Sequence, residues 1–419
     1  MNITDIDDKI IAKAQELNSP YQQIAQKYEK LFWKDLDDLK IDKPNVVLRV
    51  TENIPLIIDF INNLKSKGLA YKSMDNSVYF DSSNCHHKPG KLQAIGTTPS
   101  EQTNPYKKLP EDFALWKAVK SELEPCFDSP WGKGRPGWHT ECSALASYVF
   151  GSKIDIHAGG LDLRFPHHEN EEIQSCVFHD TLQWVNYWLH IGPLYVSDSI
   201  KMSKSLKNTV SIQEMLNKTN ADVFRLACAM TQYHKPMEYS NDLLLTAKNL
   251  LNSYNNFFSI CNDISSGLLK PALNSDVLQV SLTQLAVDIH GALSDDFNTP
   301  QVFHAINKAI NTVNKMVHGA TTSQIKFNNG IHYLLGISRL ILKTLNMFGV
   351  DASDKKYKVK TEDSSDIVNT FVQFRQDVRN IGLSSHNKEI LQLCDNVRDK
   401  LRSSGINIKD HKNVSSWSR

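Results

Sequence analysis

At 419 residues the chain exceeds what one hydrophobic core serves, so two or three domains are expected. Its 47 lysines and arginines balance 46 acidic residues, so any nucleic-acid surface must be a local patch. Seven cysteines, scattered without framework spacing, point to a reducing compartment and free or metal-bound thiols, and no apolar run approaches a membrane span.

The N-terminus shows neither a charged-then-apolar leader nor an Arg-rich presequence; it opens onto Asn2-Ile3-Thr4-Asp5-Ile6-Asp7-Asp8, which reads as domain interior. Thr4 or Asp5 caps a helix carrying Ile6, Ile10, Ile11 and Ala14, and a second helix from Ser19-Pro20 carries Ile24, Tyr28, Leu31, Phe32 and Leu36 on one stripe. Thr51 to Lys67 repeats the pattern until Gly68 stops it. From Tyr71 to Lys120, short alternating runs among Pro, Gly, Ser and Asn read as a mixed insertion of strands and loops. Within it, Cys85-His86-His87 reads either as a second metal site or as an ordinary exposed loop.

The chemistry concentrates between Gly137 and Glu171. Gly137-Trp138-His139-Thr140-Glu141-Cys142 leads to a strand, Ile154 to His157, that runs into Gly159-Gly160, and then to Phe165-Pro166-His167-His168-Glu169-Asn170-Glu171. Pro166 suits the first turn of a helix, which sets His167 and Glu171, four apart, on one face. With Cys142 they offer a thiolate, an imidazole and a carboxylate, a set that suits zinc with one position left open. The plainer alternative makes both histidines helix-surface residues and Cys142 a small buried apolar group. A second strand lies within Trp184 to Val196. Strand and helix alternation implies a parallel sheet with ligands beyond the strand ends, where His157 and the loop Lys201-Met202-Ser203-Lys204-Ser205-Leu206-Lys207 are expected. Two lysines three apart in that loop suit a polyphosphate; the alternative is a solvated basic loop. Later helices are expected at Asp222 to Met230, Leu243 to Phe258 and from Leu282 onward, with a charged linker at Asp351 to Asp366 and two final helices near Ile367 to Ile381 and Lys388 to Ser403.

Lys201-Met202-Ser203-Lys204-Ser205 matches the signature loop of class I aminoacyl-tRNA synthetases, and Gly137 to Cys142 with Phe165 to Glu171 resembles one member of that class, the cysteinyl-tRNA synthetases. Asn2 to Ile10, Asp295-Asp296-Phe297-Asn298-Thr299-Pro300 and Gly405-Ile406-Asn407-Ile408-Lys409-Asp410 resemble the same family, most closely its animal mitochondrial form. The resemblance implies an α/β fold: an incomplete Rossmann-like class I catalytic domain with a mixed insertion, then an all-α stem-contact and C-terminal helical region. The implied divisions are 1–42 for the remainder of the first catalytic half, 43–126 for the insertion, 127–210 for the second half, 211–290 for stem contact and 291–419 for tRNA binding. It also implies ATP-dependent activation of L-cysteine and transfer to tRNA(Cys), with ATP as substrate beside magnesium and zinc as cofactor, no membrane, and the mitochondrial matrix, or alternatively the cytoplasm, as location. Carried over residue by residue, Cys142, His167 and Glu171 hold zinc. Trp138 and His157 line the cysteine pocket, Thr4 its rim, and Asp162 supports it; Lys201 and Lys204 serve catalysis, with Lys204 on the ATP phosphates. Arg375, Arg379, Arg398 and Arg402 are read either as phosphate contacts or as a solvated helix face.

The sequence departs from the family at its front. Members begin with a strand and helix bearing a fourth zinc ligand, a cysteine, and a His-Ile-Gly-His signature, and neither follows Met1; His190-Ile191-Gly192-Pro193 shares three letters of it and reads as a strand segment. The expectation is a chain that starts inside its nucleotide-binding domain, with an impaired remnant that keeps zinc and tRNA binding as the alternative to the ligase. A relative joining cysteine to a small amine is a further reading, for which the long helical end would be superfluous.

Overall fold

The computed structural model describes residues 1–87, 90–92, 104–120, 124–196, 200–201, 209–318, 330–352, 364–411 and 414–418. The chain divides into two compact units, Met1–Ala352 and Ser353–Arg419.

Strand β1 (Asn2–Ile3) pairs in parallel with β2 (Leu48–Arg49). Helices α1 (Asp8–Glu16) and α2 (Tyr21–Asp38) connect them. The cap of α1 is Asp7, not the expected Thr4 or Asp5: its carboxylate accepts from the Lys9 N–H, while Asp5 accepts from the Thr51 N–H and hydroxyl. Of the α2 stripe only Ile24 is buried; Tyr28, Leu31 and Phe32 stay exposed. Helix α3 (Ile54–Ser66) buries Ile57, Phe60, Ile61 and Leu64 as its 3.6-residue period demands, and ends at Gly68, whose φ of +76° favours glycine.

The insertion forms an antiparallel sheet in the order β3 (Ala70–Lys72), β4 (Val78–Phe80), β5 (Ala114–Ala118), β6 (Gly134–Pro136). Its last strand leads into α4 (Trp138–Phe150) through Gly137, where a Cβ would lie 1.9 Å from the Ala114 carbonyl oxygen. Only glycine fits that approach, so the start of α4 is locked onto β5. Leu115, Trp116, Phe80, Leu145 and Ile173 share the core that α3, α4 and α5 (Glu169–His179) build against this sheet.

Beyond α4, β7 (Ile154–Gly160) pairs in parallel with β8 (Val185–Ile191), the α/β alternation expected. The strand is longer than anticipated, so His157 lies within it, opposite Trp188, rather than at its end. His190 and Ile191 complete β8. Gly192 then passes so close to Lys235 that a Cβ would lie 2.1 Å from its carbonyl oxygen, which separates β8 from β9 (Leu194–Val196). Strand β9 pairs with β10 (Ile200–Lys201) and β11 (Met237–Tyr239).

Helices α6 (Ile212–Lys218), α7 (Ala221–Ala229), α8 (Asn241–Ser265), α9 (Ser275–Ser294), α10 (Thr299–His318) and α11 (Ile331–Met347) enclose a second core around Leu251, Tyr254, Phe257, Ile306 and Leu345. Most of the expected linker, 353–363, lies outside the described residues.

The second unit packs α12 (Ser364–Ser384) and α13 (Lys388–Ser403) with an antiparallel hairpin, β12 (Asn407–His411) and β13 (Val414–Ser418), which the helical reading did not anticipate. Of the four arginines read as phosphate contacts or as a solvated helix face, three converge on one carboxylate and one stays exposed. Arg375 is buried and grips Asp410 with both nitrogens, at 2.7 and 3.1 Å, while Arg379 and Arg398 approach the same carboxylate at 3.6 and 3.4 Å; Arg402 is exposed.

Candidate metal centre

The first turns of α4 present Trp138, His139, Glu141 and Cys142. Facing them, a wide turn, Arg164–His168, feeds α5, and Phe165 inside it is extended (φ −139°, ψ 133°) before a cis bond to Pro166. The sequence suggested that Pro166 opens a regular helix; instead α5 begins at Glu169. The wide turn nevertheless brings His167 Nε2 to 2.8 Å from Glu171 Oε1.

The Cys142 sulfur, a His167 nitrogen and a Glu171 oxygen lie within 4.8 Å of one another. His167 and Glu171 are 4 % and 0 % exposed. Apart from the His167 nitrogen 2.8 Å from Oε1, which is not aligned as a hydrogen bond, neither buried Glu171 oxygen meets a donor. Its neighbours on α5 differ. Glu169 accepts from the Gly90, Lys91 and Leu92 N–H groups, and Glu172 from the Trp184 and Val185 N–H groups and the Lys91 ammonium. A buried carboxylate without donors is costly unless a cation meets it, so the trio fits a metal. Burial, then the charges of Glu171 and Glu141, push the Cys142 thiol well above its ordinary range, while Asn2 Nδ2 donates to its sulfur at 3.2 Å. A bound cation reverses that balance, because it favours the thiolate.

A second group, His157, His168 and Glu171, also converges within 4.8 Å but shares Glu171 and lacks sulfur. His157 Nε2 is 3.7 Å from Glu171 Oε2, and His168 Nδ1 is engaged by His190 Nε2 at 2.9 Å. Zinc tolerates soft ligands, which favours the group with the thiol.

The other expected residues fall around this trio. Trp138 stacks on His167, centroids 4.1 Å apart at 23°, with 44 % of its surface exposed beside it. The His157 ring lies 4.9 Å from that of His168 and 4.6 Å from that of Trp188. Thr4 donates to Glu141 at 3.4 Å, and burial holds that carboxyl well above the usual range. Asp162 sits just past β7, its carboxylate against Gly160, where a Cβ would lie 2.5 Å from Oδ1. Lys201 closes β10 opposite Tyr195, and Lys204 lies outside the described residues. Cys85-His86-His87 joins no ligand group among the described residues; Cys85 packs against the core.

Sequence reasoning missed Asn2, His139, His168 and His190 as members of the site. His139 Nδ1 meets His167 Nδ1 at 2.8 Å, and burial lowers its pKa to about 3, so the ring is neutral. Its signal was available in the spacing: His139 and Cys142 are three apart on one helix, hence on one face. Asn2 had none, being 140 residues from its partner.

Residues 1–249 match the family described as tRNA synthetases class I (C) catalytic domain. A probable mitochondrial cysteine–tRNA ligase of Xenopus tropicalis is 37% identical over 447 residues, spanning 100% of this chain and 78% of that protein. A cytoplasmic cysteine–tRNA ligase of Dictyostelium discoideum is 34% identical, over 98% of this chain and 66% of that protein. Among solved structures, a Mycobacterium tuberculosis methionyl-tRNA synthetase bound by methionyl-adenylate shares the fold at 15% identity, with a TM-score of 0.58 and coverage of 81% of this chain and 82% of that one.

Proposed function

The chain belongs to the cysteine–tRNA ligases of class I, enzymes that use ATP to join an amino acid to tRNA, and from that premise we propose that Cys142, His167 and Glu171 hold a zinc ion that selects cysteine. The observation that carries this reading is the Glu171 carboxylate, fully buried with both oxygens lacking donors, beside a thiol and an imidazole. Bound there, zinc supplies an open position that takes a thiolate far more readily than the hydroxyl of serine. Discrimination by a group the competitor lacks reaches roughly ten-thousandfold without an editing step.

The chain's own residues do the rest. Asn2 steadies the Cys142 sulfur, and the indole of Trp138 holds the His167 ring in plane while its exposed edge walls the pocket. His157 and Thr4 bound the same space, with Asp162 at its margin. Lys201 and Lys204 take the ATP phosphates, Lys204 meeting the charge that builds on pyrophosphate as the cysteinyl-adenylate forms. The likeness to a mitochondrial relative supports the mitochondrial matrix as the place of action. Nothing in the comparisons favours an impaired remnant over the ligase.

Two measurements test the reading. Zinc content should be one per chain and fall to background in Cys142→Ser; unchanged stoichiometry removes the assignment. Cysteine-dependent ATP–pyrophosphate exchange should slow by roughly a hundredfold in Lys204→Ala, the loss of one well-aimed donor. Normal exchange with weakened tRNA binding would move the loop from catalysis to RNA docking.

A further inference from the structure

Beside the candidate trio stands a further imidazole, that of His139. His139 Nδ1 is 2.8 Å from His167 Nδ1, and the opposite nitrogen of His167, Nε2, is the one turned toward Glu171. A neutral imidazole carries one N–H and one lone pair. For Nε2 to offer its lone pair to a cation, the His167 proton must sit on Nδ1, and there it meets His139 Nδ1. That nitrogen must then accept, which places the His139 proton on its own Nε2. One short contact therefore sets the tautomers of two rings.

We propose that His139 is a positioning residue for the zinc site, holding His167 in the one tautomer and orientation that can bind metal; this rests on the zinc reading above. Three contacts keep it in place. Its carbonyl accepts from the fully buried Gln174 Nε2 at 2.9 Å, fixing the start of α4 to α5. The Phe113 ring meets the imidazole edge-on, centroids 5.6 Å apart at 88°. Trp138, its neighbour in sequence, lies flat on His167 and fixes the plane of that ring, leaving the His139 contact to select which edge faces Glu171. Cys142 follows on the same face of the same helix. The opening turns of α4 thus supply one ligand directly and orient another, and loss of such an orienting partner typically lowers metal affinity by about 10–100-fold.

The test uses the full chain and measures zinc affinity by competition with a chromophoric chelator, with the visible absorption of the cobalt(II)-substituted protein as a second readout of ligand geometry. His139→Leu keeps the bulk without the acceptor and should weaken zinc by about 10–100-fold and alter the cobalt bands. His139→Asn places an oxygen at the same bond distance from Cβ as Nδ1 and should return both readouts to near wild type. His139→Gln sets its oxygen one bond further out and should not. Wild-type affinity in the leucine variant overturns the proposal. Should the leucine protein not fold, equal affinities in the asparagine and glutamine variants overturn it instead. Wild-type protein and Cys142→Ser run alongside separate the two ideas. Absence of zinc binding in wild type sinks the metal reading itself, whereas normal wild-type binding with an unaffected His139→Leu sinks only the role of His139.

Discussion

Two carboxylates, Glu171, fully buried on α5, and Asp410, partly buried in the C-terminal hairpin, solve the same electrostatic problem in opposite ways. Asp410 accepts from both terminal nitrogens of Arg375 and from Ser415, and its pKa is held below the ordinary carboxylate range, first by the Arg375 hydrogen bond. The Arg375 Nε donates to the Cys394 carbonyl, so this one ion pair ties α12 to α13 and to β12. Glu171 has no such donors, although Glu169 and Glu172 beside it are saturated by backbone N–H groups. A buried charge with all its partners inside the chain serves the fold; one left short serves something the chain binds.

The largest expected effect lies at the satisfied pair. Arg375→Ala removes the two-pronged partner of Asp410 and should destabilise the hairpin by about 3 kcal/mol, the low end for a broken buried pair because Asp410 keeps some solvent and the nearby Arg379 and Arg398. Hydrogen exchange at the β12 amides reads it; unchanged protection would mean that the pair is ornamental. Glu171→Gln should show the opposite profile, with zinc affinity down by roughly a hundredfold and thermal stability of the metal-free protein unchanged or raised, since an unpaired buried charge has been removed. A large drop in that stability would make Glu171 a structural residue and erase the contrast. Glu172→Gln sharpens it from the same helix: zinc binding should persist while stability falls by about 1–2 kcal/mol, because an amide cannot satisfy the Trp184 and Val185 N–H groups as a carboxylate does. Chelator competition and thermal unfolding together decide it.

The smallest effect near neutrality concerns pH. Asp410 has a depressed folded pKa, so its stabilising contribution is fully present above the unfolded carboxylate value, near 4, and is lost as pH falls through the lower folded value. Hairpin protection should therefore be flat from neutral pH to about 5 and decline in acid. In Asp410→Asn this acid-dependent loss should disappear; an identical acid profile in that variant would assign the effect to another group.

The chain's order of residues was enough to expose what depends on neighbours in sequence. The stripes of α3 and α8 and the alternation of β7, α5 and β8 follow from periodicity, and Cys142, His167 and Glu171 stood out as candidate ligands by side-chain type and by family resemblance. What depends on distant packing was not legible. Arg375 and Arg402 look alike in sequence, yet one is sealed against Asp410 and the other faces solvent, because only the hairpin supplies the carboxylate. Tyr28, Leu31 and Phe32 kept their helical spacing without being covered. At the candidate metal centre the tertiary structure decided that Asn2 reaches Cys142, that His139 meets His167, and that Glu171, unlike Glu169 and Glu172, meets no backbone N–H. The physical reason is common to all of these: a side chain's type limits what it can bond, but its partners are chosen by which backbones the fold brings within about 3 Å.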